Sequence, residues 1–592
     1  DYALSTNMEK VASDKMFFCS WIRRKLPGPL REEVYHLLRM MGPLLLTRIL
    51  SCLLQFVLTM FCGRLTNEVM AGYGLASATI NVTTAATGLG LGLALDTLVA
   101  QTFGGKNLLR VGVILQRGVI ILLLFCMPCW GLLLNAQSFL LLMGQDPEVT
   151  RIAQLYITAY LPAIPAMFLY HLQVSYIQNQ SIILPQMYAA ALANVANLLT
   201  NYIFISVLDF GVYGSAAANA LADFYSCAFL FAYIWWKKLY TSTWGGWSLE
   251  SLQEWGSFMK LAIPSTCMTC FEWWIFEFGG FFAGMFHKDQ LAVYHALITV
   301  ANLNYMVTVG IKMAACARVG NALGAGDTAG ALLTSKVAYF LSVTLAVVQG
   351  TVLGATKSVI GFLFTSDPKI ISLLSPLMTI YCFLQIFDGL VGISSGILMG
   401  MGMQKIAAVA NFIGYYFLGL SIGVVLMFVA KLAILGFWLG LLICVVLQSL
   451  FYIVVIFRLN WKSITEEAVK RAKTKINVPL LNMGDAVLNH SGEQTQLQLN
   501  VGQRFIHCTY SSTEGSAKIP LSNMEDARYL SVSQLVLRRG VTMVTAFGLL
   551  VVGTCIHFLV PPPGNTPLLL ESNLTSVNTT HSPLQTVTML DW

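Results

Sequence analysis

Two acidic residues stand in an aromatic and otherwise apolar run, Phe271-Glu272-Trp273-Trp274-Ile275-Phe276-Glu277. A carboxylate inside bilayer hydrocarbon is costly, and it usually faces a bundle interior or a wet cavity, where it marks a functional site. The indole rings of Trp273 and Trp274 offer π faces that attract cations. If the segment spans a membrane, the run therefore predicts a site for positive charge.

Glu272 and Glu277 are five residues apart, which places them about 140° apart around an ideal helix. The second acid lies about 7–8 Å further along the helix axis. We therefore expect only one of the two to face the main cavity. Glu272 is the better candidate because it is deeper in the segment, and Glu277 is expected to be a structural or outer-gate acid.

The composition indicates a membrane protein of many spans. Of 592 residues, 56% are hydrophobic and 11% are charged, whereas soluble domains carry about 25% charged residues. Apolar stretches of about 20 residues, the length that crosses a bilayer, recur along the chain. The net charge of +7 does not predict a nucleic-acid partner, because the basic residues cluster in loops on one side, as cytoplasmic loops do.

The hydropathy pattern predicts thirteen spans in an all-α fold, with a cytoplasmic N-terminus and an extracellular C-terminus in the plasma membrane. The spans lie near 39–60, 70–98, 113–135, 150–177, 183–208, 213–236, 258–285, 291–316, 332–356, 370–398, 406–430, 435–457 and 540–560. The predicted regions are a cytoplasmic N-terminus (1–38), an N-terminal six-helix lobe (39–236), an inter-lobe linker (237–257), a C-terminal six-helix lobe (258–457), a largely disordered cytoplasmic linker (458–539), the thirteenth span (540–560) and an extracellular tail (561–592) with two glycosylation sequons.

The first twelve spans resemble a duplication with a period of about 220 residues. Four matches occur in the same order: Pro43 with Pro264, Gln101–Gly105 with Asn321–Ala325, Asn194 with Asn411, and Gly214 with Gly436. Repeats of six spans keep one orientation in the membrane, and substrate sites lie near the midplane between such halves. The alternative is chance matching of common Gly, Pro and Asn residues.

Two common enzyme motifs are missing from the sequence, the GxxxxGK[ST] phosphate loop and HExxH. We therefore expect a protein that is not an enzyme, uses no cofactor, and draws its driving force from an ion gradient. The run Gly320–Gly326 is expected on a loop between spans, where it serves a turn or a close approach of helices.

Further ionisable residues fall inside the predicted spans. Lys312 is expected to snorkel toward the cytoplasmic end of its span, and Asp96 to serve a loop, a helix cap or the cavity. Asp388 lies near mid-span, as Glu272 does. Carboxyl groups buried in an apolar cavity can exchange protons near neutral pH, which a proton-coupled carrier requires.

Several runs resemble the multidrug and toxin extrusion (MATE) family, in its branch of animal proton/organic-cation antiporters. They are Trp244–Ser248, Glu272-Trp273-Trp274, Arg318–Asp327, Val111–Arg117 and Leu535–Gly540. The resemblance covers nearly the whole chain, including the thirteenth span. It implies two six-helix bundles forming a V, alternating access, and export of organic cations against protons.

The resemblance also implies site residues. Glu272 and Glu277 match the two acids of the family's seventh span. Positions of the cation pocket and of the N-terminal lobe are matched by Trp273, Phe276, Tyr305, Asn81 and Cys62, and Trp274 completes the aromatic wall.

The chain departs from the family where function is expected. The family's acid in the eighth span is Thr299, its acid in the tenth span is the shorter Asp388, and a Gln of the first span is Arg48. Further departures are Thr308 and Ser421 in place of prolines and Met399 in place of an arginine. If both Thr299 and Arg48 face the cavity, its charge shifts by about +2 relative to the family.

His295 precedes Thr299 by one helical turn, so the two share a face. One hypothesis makes His295 a titrating substitute for the lost acid, and the alternative is a polar histidine near the outer interface. The leading function is a monomeric proton-coupled antiporter that exports organic cations and other drug-like xenobiotics, with protons and membrane lipids as its other partners. The alternative is a diverged member with altered substrate charge preference, or a non-coupled facilitator or scaffold.

Overall fold

The computed structural model describes residues 28–63, 67–286, 288–363, 368–473 and 531–560, and all regular elements in these ranges are helical. We number the α-helices as follows: α1 Gly28–Gly63, α2 Asn67–Ile80, α3 Ala86–Gly104, α4 Leu108–Leu133, α5 Ala136–Leu142, α6 Pro147–Tyr160, α7 Ala163–Gln178, α8 Leu184–Asn201, α9 Gly211–Trp236, α10 Trp255–Phe286, α11 Lys288–Gly324, α12 Thr328–Thr356, α13 Pro368–Met401, α14 Gln404–Asn411, α15 Ser421–Val424, α16 Ile434–Arg458, α17 Trp461–Lys473 and α18 Val532–Leu559. The all-helical prediction is confirmed.

Within the described ranges, eleven continuous helical segments are long and apolar enough to cross a membrane, and the bent pair α6–α7 gives a twelfth span. Some of these segments join numbered helices through π-helical turns, such as Glu68–Gly104 and Gln404–Val429. The pair bends by 58°. Helix α10, the predicted seventh span, is not among them. With 32 residues it is long enough to cross, but Glu272, Glu277 and its hydroxyl-bearing residues make it less apolar. The prediction of a multi-pass membrane protein is confirmed.

Two hydrophobic cores organise the helices into an N-terminal and a C-terminal half. In each half, part of the first helix packs in the core of the other half. Residues Val34 to Leu44 of α1 belong to the core of the C-terminal half, whereas residues Trp255 to Ala262 of α10 belong to the core of the N-terminal half. Each half is therefore anchored to the other by the helix that begins it.

Wider π-helical turns occur in the fifth span of each half. Residues Tyr202–Val207 follow Asn201 at the end of α8, and residues Phe412–Leu420 follow Asn411 at the end of α14. Two further π-helical segments are Asn81–Ala85, which joins α2 to α3, and Val425–Val429, which follows α15. Such turns inside helices are rare and are often found at functional sites.

Residues 458–539, predicted as a largely disordered linker, begin with the ordered helix α17. Its buried residues Trp461, Ile464, Thr465, Ala468 and Ala472 recur with helical spacing and form one apolar face. The remainder of that predicted linker up to residue 530, the N-terminal residues 1–27, and the tail 561–592 with its sequons lie outside the described residues.

Helix α18 packs along α4 of the N-terminal half. The amide of Asn135 donates a hydrogen bond to the carbonyl of Gly553 at 2.8 Å, and a Cβ on Gly553 would lie 2.5 Å from the Cα of Gly131. At its other end, Arg539 donates to the carbonyl of Leu252 at 2.8 Å and stacks over Trp255. The thirteenth span is thus attached to the core at both ends.

Candidate functional site

The acid that the sequence singles out lies at the centre of a buried polar cluster in the C-terminal half. Glu272 is 7% exposed. Tyr305 of α11 donates a hydrogen bond from its hydroxyl to Glu272 Oε1. Lys312, two turns further along α11, places its Nζ 3.7 Å from Glu272 Oε2. Residues seven apart lie on one helix face, so α11 offers Glu272 a hydroxyl and an ammonium together.

Two further charged groups act on this cluster from other helices. Asp388 of α13 is half-buried and lies within electrostatic range of Glu272 and Lys312. Arg48 of α1 is also half-buried and lies within electrostatic range of Tyr305. Four helices therefore bring two carboxylates and two basic groups to one region, which we call the charge cluster: Glu272, Asp388, Lys312 and Arg48.

The expectation that Lys312 snorkels to an interface is wrong. The residue is 7% exposed, and the backbone of α13 lies against it, since a Cβ on Gly396 would come within 2.5 Å of the Lys312 carbonyl. The ammonium is directed into the bundle, where Glu272 balances its charge. Removing one partner of a buried ion pair is strongly destabilising, by about 3–5 kcal/mol.

The residues of the predicted aromatic wall on α10 make separate contacts. The indole N–H of Trp274 donates to the carbonyl of Val82 at 3.1 Å, which joins α10 to the π-helical segment that begins at Asn81. Phe276 packs near Trp438, with ring centroids 6.4 Å apart. Trp273 and Asn81 are exposed. The side chain of Cys62 lies outside the described residues.

Other predicted site residues lie apart from the charge cluster. Glu277 is exposed, in line with its predicted rotation away from Glu272. His295 and Thr299 are also exposed, and the Thr299 hydroxyl donates to the His295 carbonyl at 2.7 Å. His295 lies ten residues before Tyr305, about 15 Å along the helix axis. The described contacts therefore do not join His295 to Glu272.

The N-terminal half contains buried polar pairs that the sequence reasoning missed or left open. Asp96 is 2% exposed and accepts a hydrogen bond from the Asn179 amide at 2.6 Å, so it is neither a loop residue nor a helix cap. Asp223, which the sequence analysis passed over, accepts a hydrogen bond from the Tyr160 hydroxyl. Asp223 lies inside a predicted span, so the argument that selected Glu272 applies to it as well.

Comparison with known proteins decides the family. The MatE family model matches residues 43–203 and, a second time, residues 264–425. The chain belongs to the MATE family. Because the same family signature occurs once in each half, the predicted internal duplication is confirmed and chance matching is excluded.

Relatives of this MATE chain cover most of its length. Multidrug and toxin extrusion protein 1 of Danio rerio is 46% identical over 463 residues, 78% of each chain. The Homo sapiens protein of the same name is 42% identical over 539 residues, 90% of this chain and 94% of the relative. The crystal structure of the eukaryotic MATE transporter AtDTX14 matches with a TM-score of 0.72 and 25% identity, over 75% of this chain and 100% of that one. A MATE transporter in an outward-facing conformation shares the fold, with a TM-score of 0.65 and 17% identity over 76% and 97% of the two chains.

The two halves of the MATE fold meet tightly at one end, which we call the Arg471 end. The Thr97 hydroxyl donates to the Met399 carbonyl at 2.7 Å, and the Gln101 amide donates to the Gly400 carbonyl at 2.9 Å. Arg471 of α17 donates to Gln101 Oε1 at 3.3 Å, so α17 braces the junction. Burial lowers the pKa of Arg471, and the nearby Glu467 raises it.

Glycines permit this close approach. A Cβ on Gly104 would lie 2.0 Å from the Asn321 carbonyl oxygen, and one on Gly324 would lie 1.9 Å from the Gln101 carbonyl oxygen. The predicted loop over Gly320–Gly326 is wrong for most of the run, because α11 continues to Gly324. The role in close helix approach is confirmed, and these glycines contact the matching segment of the other half.

Two of the residues that depart from the family pattern, Thr308 and Ser421, have defined neighbours in the structure. Thr308 is buried beside Gly392, where a Cβ would lie 2.8 Å from its methyl group. The Ser421 hydroxyl donates to the Tyr416 carbonyl at 3.3 Å.

Two surface grooves of about 350 and 620 Å³ lie on the C-terminal half, and neither has Glu272 or Asp388 in its lining. The charge cluster is therefore separate from both grooves.

Proposed function

We propose that this chain exports organic cations in exchange for protons, by alternating access across the plasma membrane with a cytoplasmic N-terminus. The observation that carries the proposal is the convergence of Glu272 and Asp388 in one buried cluster, held by Tyr305. Membership of a family of extrusion proteins supports it. Aromatic side chains beside the cluster suit organic cations, which bind by apolar contact and by cation–π attraction.

In this mechanism the two carboxylates hold either protons or the substrate cation. Because both ligands compete for the same negative charge, binding one promotes release of the other, which is the linkage that exchange requires. Tyr305 keeps Glu272 directed at the cluster. The Arg471 end is closed, so it must separate before the cluster becomes accessible from that side, which we assign to the cytoplasm.

Proteoliposomes with a proton gradient and a fluorescent cationic tracer test the proposal. We expect gradient-driven accumulation by the wild-type protein, and its loss in Glu272→Gln. Glu148→Gln is the matched control, because this acid is exposed, pairs with Arg151 and is not part of the charge cluster, so the variant should retain most of the flux. Equal activity of the wild type and Glu272→Gln would overturn the mechanism.

A second candidate is a facilitator or scaffold without proton coupling. The Glu272–Lys312 ion pair favours it, because an acid that already has a buried counter-ion has less need of either a proton or a substrate cation. Thr299 and Arg48 point the same way. Tracer flux that follows the tracer gradient and ignores the proton gradient would favour this candidate over the exchanger.

A further inference from the structure

Lys312 is a cation that belongs to the protein and lies at the site proposed for the substrate cation. Its Nζ is 3.7 Å from Glu272 Oε2, and the two side chains are each 9% exposed. The backbone of α13 at Gly396 lies against it, so the lysine is held within the bundle. Even without substrate, Glu272 is therefore paired with a positive charge.

The charged groups around Lys312 determine the free energy that is needed to displace it from Glu272. Asp388 is the further carboxylate described within electrostatic range of both Glu272 and Lys312. Arg48 approaches from α1, and Asp96 acts with Lys312 on the thiol of Cys316, one turn further along α11. Tyr305, Tyr415, Tyr452 and Cys444 face the acids from the other packed elements. A substrate with only a positive charge leaves Lys312 and Arg48 to share the remaining acid.

A substrate that carries both charges avoids this cost. Its cationic group takes the place of the ammonium at Glu272, and its carboxylate becomes the new partner of Lys312. Buried charges are tolerated when they are paired, so the exchange leaves each charge in the cluster with a partner. A tethered lysine also competes with simple cations at a high effective concentration.

We propose that Lys312 is the residue that sets substrate charge preference, as a built-in competitor at Glu272 that disfavours simple organic cations and favours zwitterions bearing a carboxylate. The inference rests on the proposed function and narrows its substrate class from organic cations in general to cationic compounds that also carry a carboxylate. It assigns Lys312 a positioning role toward Glu272 and a direct contact with the anionic group of the substrate.

Two matched probes test this preference: a fluorescent betaine with a trimethylammonium group and a carboxylate, and its methyl ester, which lacks the negative charge. Equilibrium binding to the purified protein in detergent is the readout. The wild type should bind the betaine about tenfold more tightly than the ester, which corresponds to about 1.4 kcal/mol. Lys312→Met should reverse that order, since it weakens betaine binding and strengthens ester binding.

Lys312→Arg retains the charge and should retain the wild-type preference, as should Lys260→Met, which removes an exposed lysine of α10. If Lys312→Met does not fold, Lys312→Gln replaces it. The wild type alone is also decisive, because tighter binding of the ester than of the betaine overturns the inference. So does an unchanged binding ratio in a folded Lys312 variant.

Flux measurements separate this inference from the proposed function. Loss of proton-driven flux with an intact Lys312-dependent binding preference would overturn the exchange mechanism and support the charge preference. The opposite result is proton-driven, Glu272-dependent flux of both probes, with the same betaine-to-ester ratio in wild type and Lys312→Met. It would support the exchange mechanism and overturn the charge preference.

Discussion

Asn194 and Asn411 occupy equivalent places in the two halves, and each donates its amide to a backbone carbonyl of the helix that begins its half. The acceptor of Asn194 is Leu50 at 2.9 Å, and that of Asn411 is Met268 at 3.0 Å. Both acceptors lie shortly after the paired prolines Pro43 and Pro264. The duplication thus preserves a hydrogen bond as well as a fold, and this bond fixes where the fifth span of a half crosses the first.

The two asparagines differ in their remaining partners, which predicts different costs of removal. Asn411 Oδ1 also accepts from the Gln448 amide at 2.6 Å and from the Tyr452 hydroxyl at 2.7 Å. Asn411→Ala leaves the buried Gln448 amide short of this acceptor, at about 1–3 kcal/mol for an unsatisfied group, whereas the Tyr452 hydroxyl can still donate to the Ala407 carbonyl at 3.1 Å. Asn194→Ala affects only carbonyl acceptors. We expect Asn411→Ala to lower the melting temperature in detergent clearly more than Asn194→Ala does, and equal shifts would contradict this.

Closure of the Arg471 end depends on a missing side chain at Gly104. A methyl group there would lie 2.0 Å from the Asn321 carbonyl oxygen, so Gly104→Ala should keep the halves apart at this end. Hydrogen–deuterium exchange should then increase in residues 97–107 and 318–327. Gly74→Ala is the control, because nothing lies within 4 Å of the added methyl. Unchanged exchange in Gly104→Ala would mean that the halves do not separate there.

Helix α18 is held to α4 by another close approach of glycines. Gly553 lies against Gly131, and small residues at such positions let helices in a membrane pack closely. Gly553→Leu should therefore detach α18, so that residues 531–592 expressed as a separate chain no longer co-purify with residues 1–530. Gly548→Leu, a position with nothing within 4 Å, should leave co-purification intact. Co-purification that survives Gly553→Leu would show that Arg539 and Trp255 suffice.

The sequence alone predicted the features that depend only on residue type and on spacing along the chain. The cost of charge in hydrocarbon selected Glu272, and the period of about 220 residues gave the duplication. Lys312 could not be predicted, because its place near the end of a span does not say which neighbouring helix it faces. Helix α17 could have been predicted, because Trp461, Ile464, Ala468 and Ala472 have helical spacing. The polar composition of the surrounding residues instead favoured the prediction of a disordered linker.

In the N-terminal half too, the sequence did not show which side chains of different helices would meet. Asp223 was missed although it obeys the argument that selected Glu272, and its partner Tyr160 lies 63 residues away in the chain. The π-helical segments after Asn201 and Asn411 also have no simple sequence signal, because their residues are ordinary apolar ones.

The hydroxyl of Tyr305 provides the last test, because it touches Glu272 from the helix that also carries Lys312. Tyr305→Phe removes the hydrogen bond and keeps the ring. Bonds to charged groups contribute about 1.5–3 kcal/mol, so we expect kcat/KM for a transported tracer to fall by about tenfold or more. Tyr339→Phe is the control, since its hydroxyl pairs with Ser394 in the same half at 2.7 Å and should have little effect on transport.

A double-mutant cycle separates a specific role of Tyr305 from a general loss of packing. If the hydroxyl acts through Glu272, Tyr305→Phe should cost much less in tracer binding when Glu272 is already Gln than when it is Glu, because interacting residues are not additive. Equal losses in both backgrounds would assign the effect to packing of α11 against α10. The same cycle with Lys312→Arg should remain close to additive, because that substitution retains the charge facing Glu272.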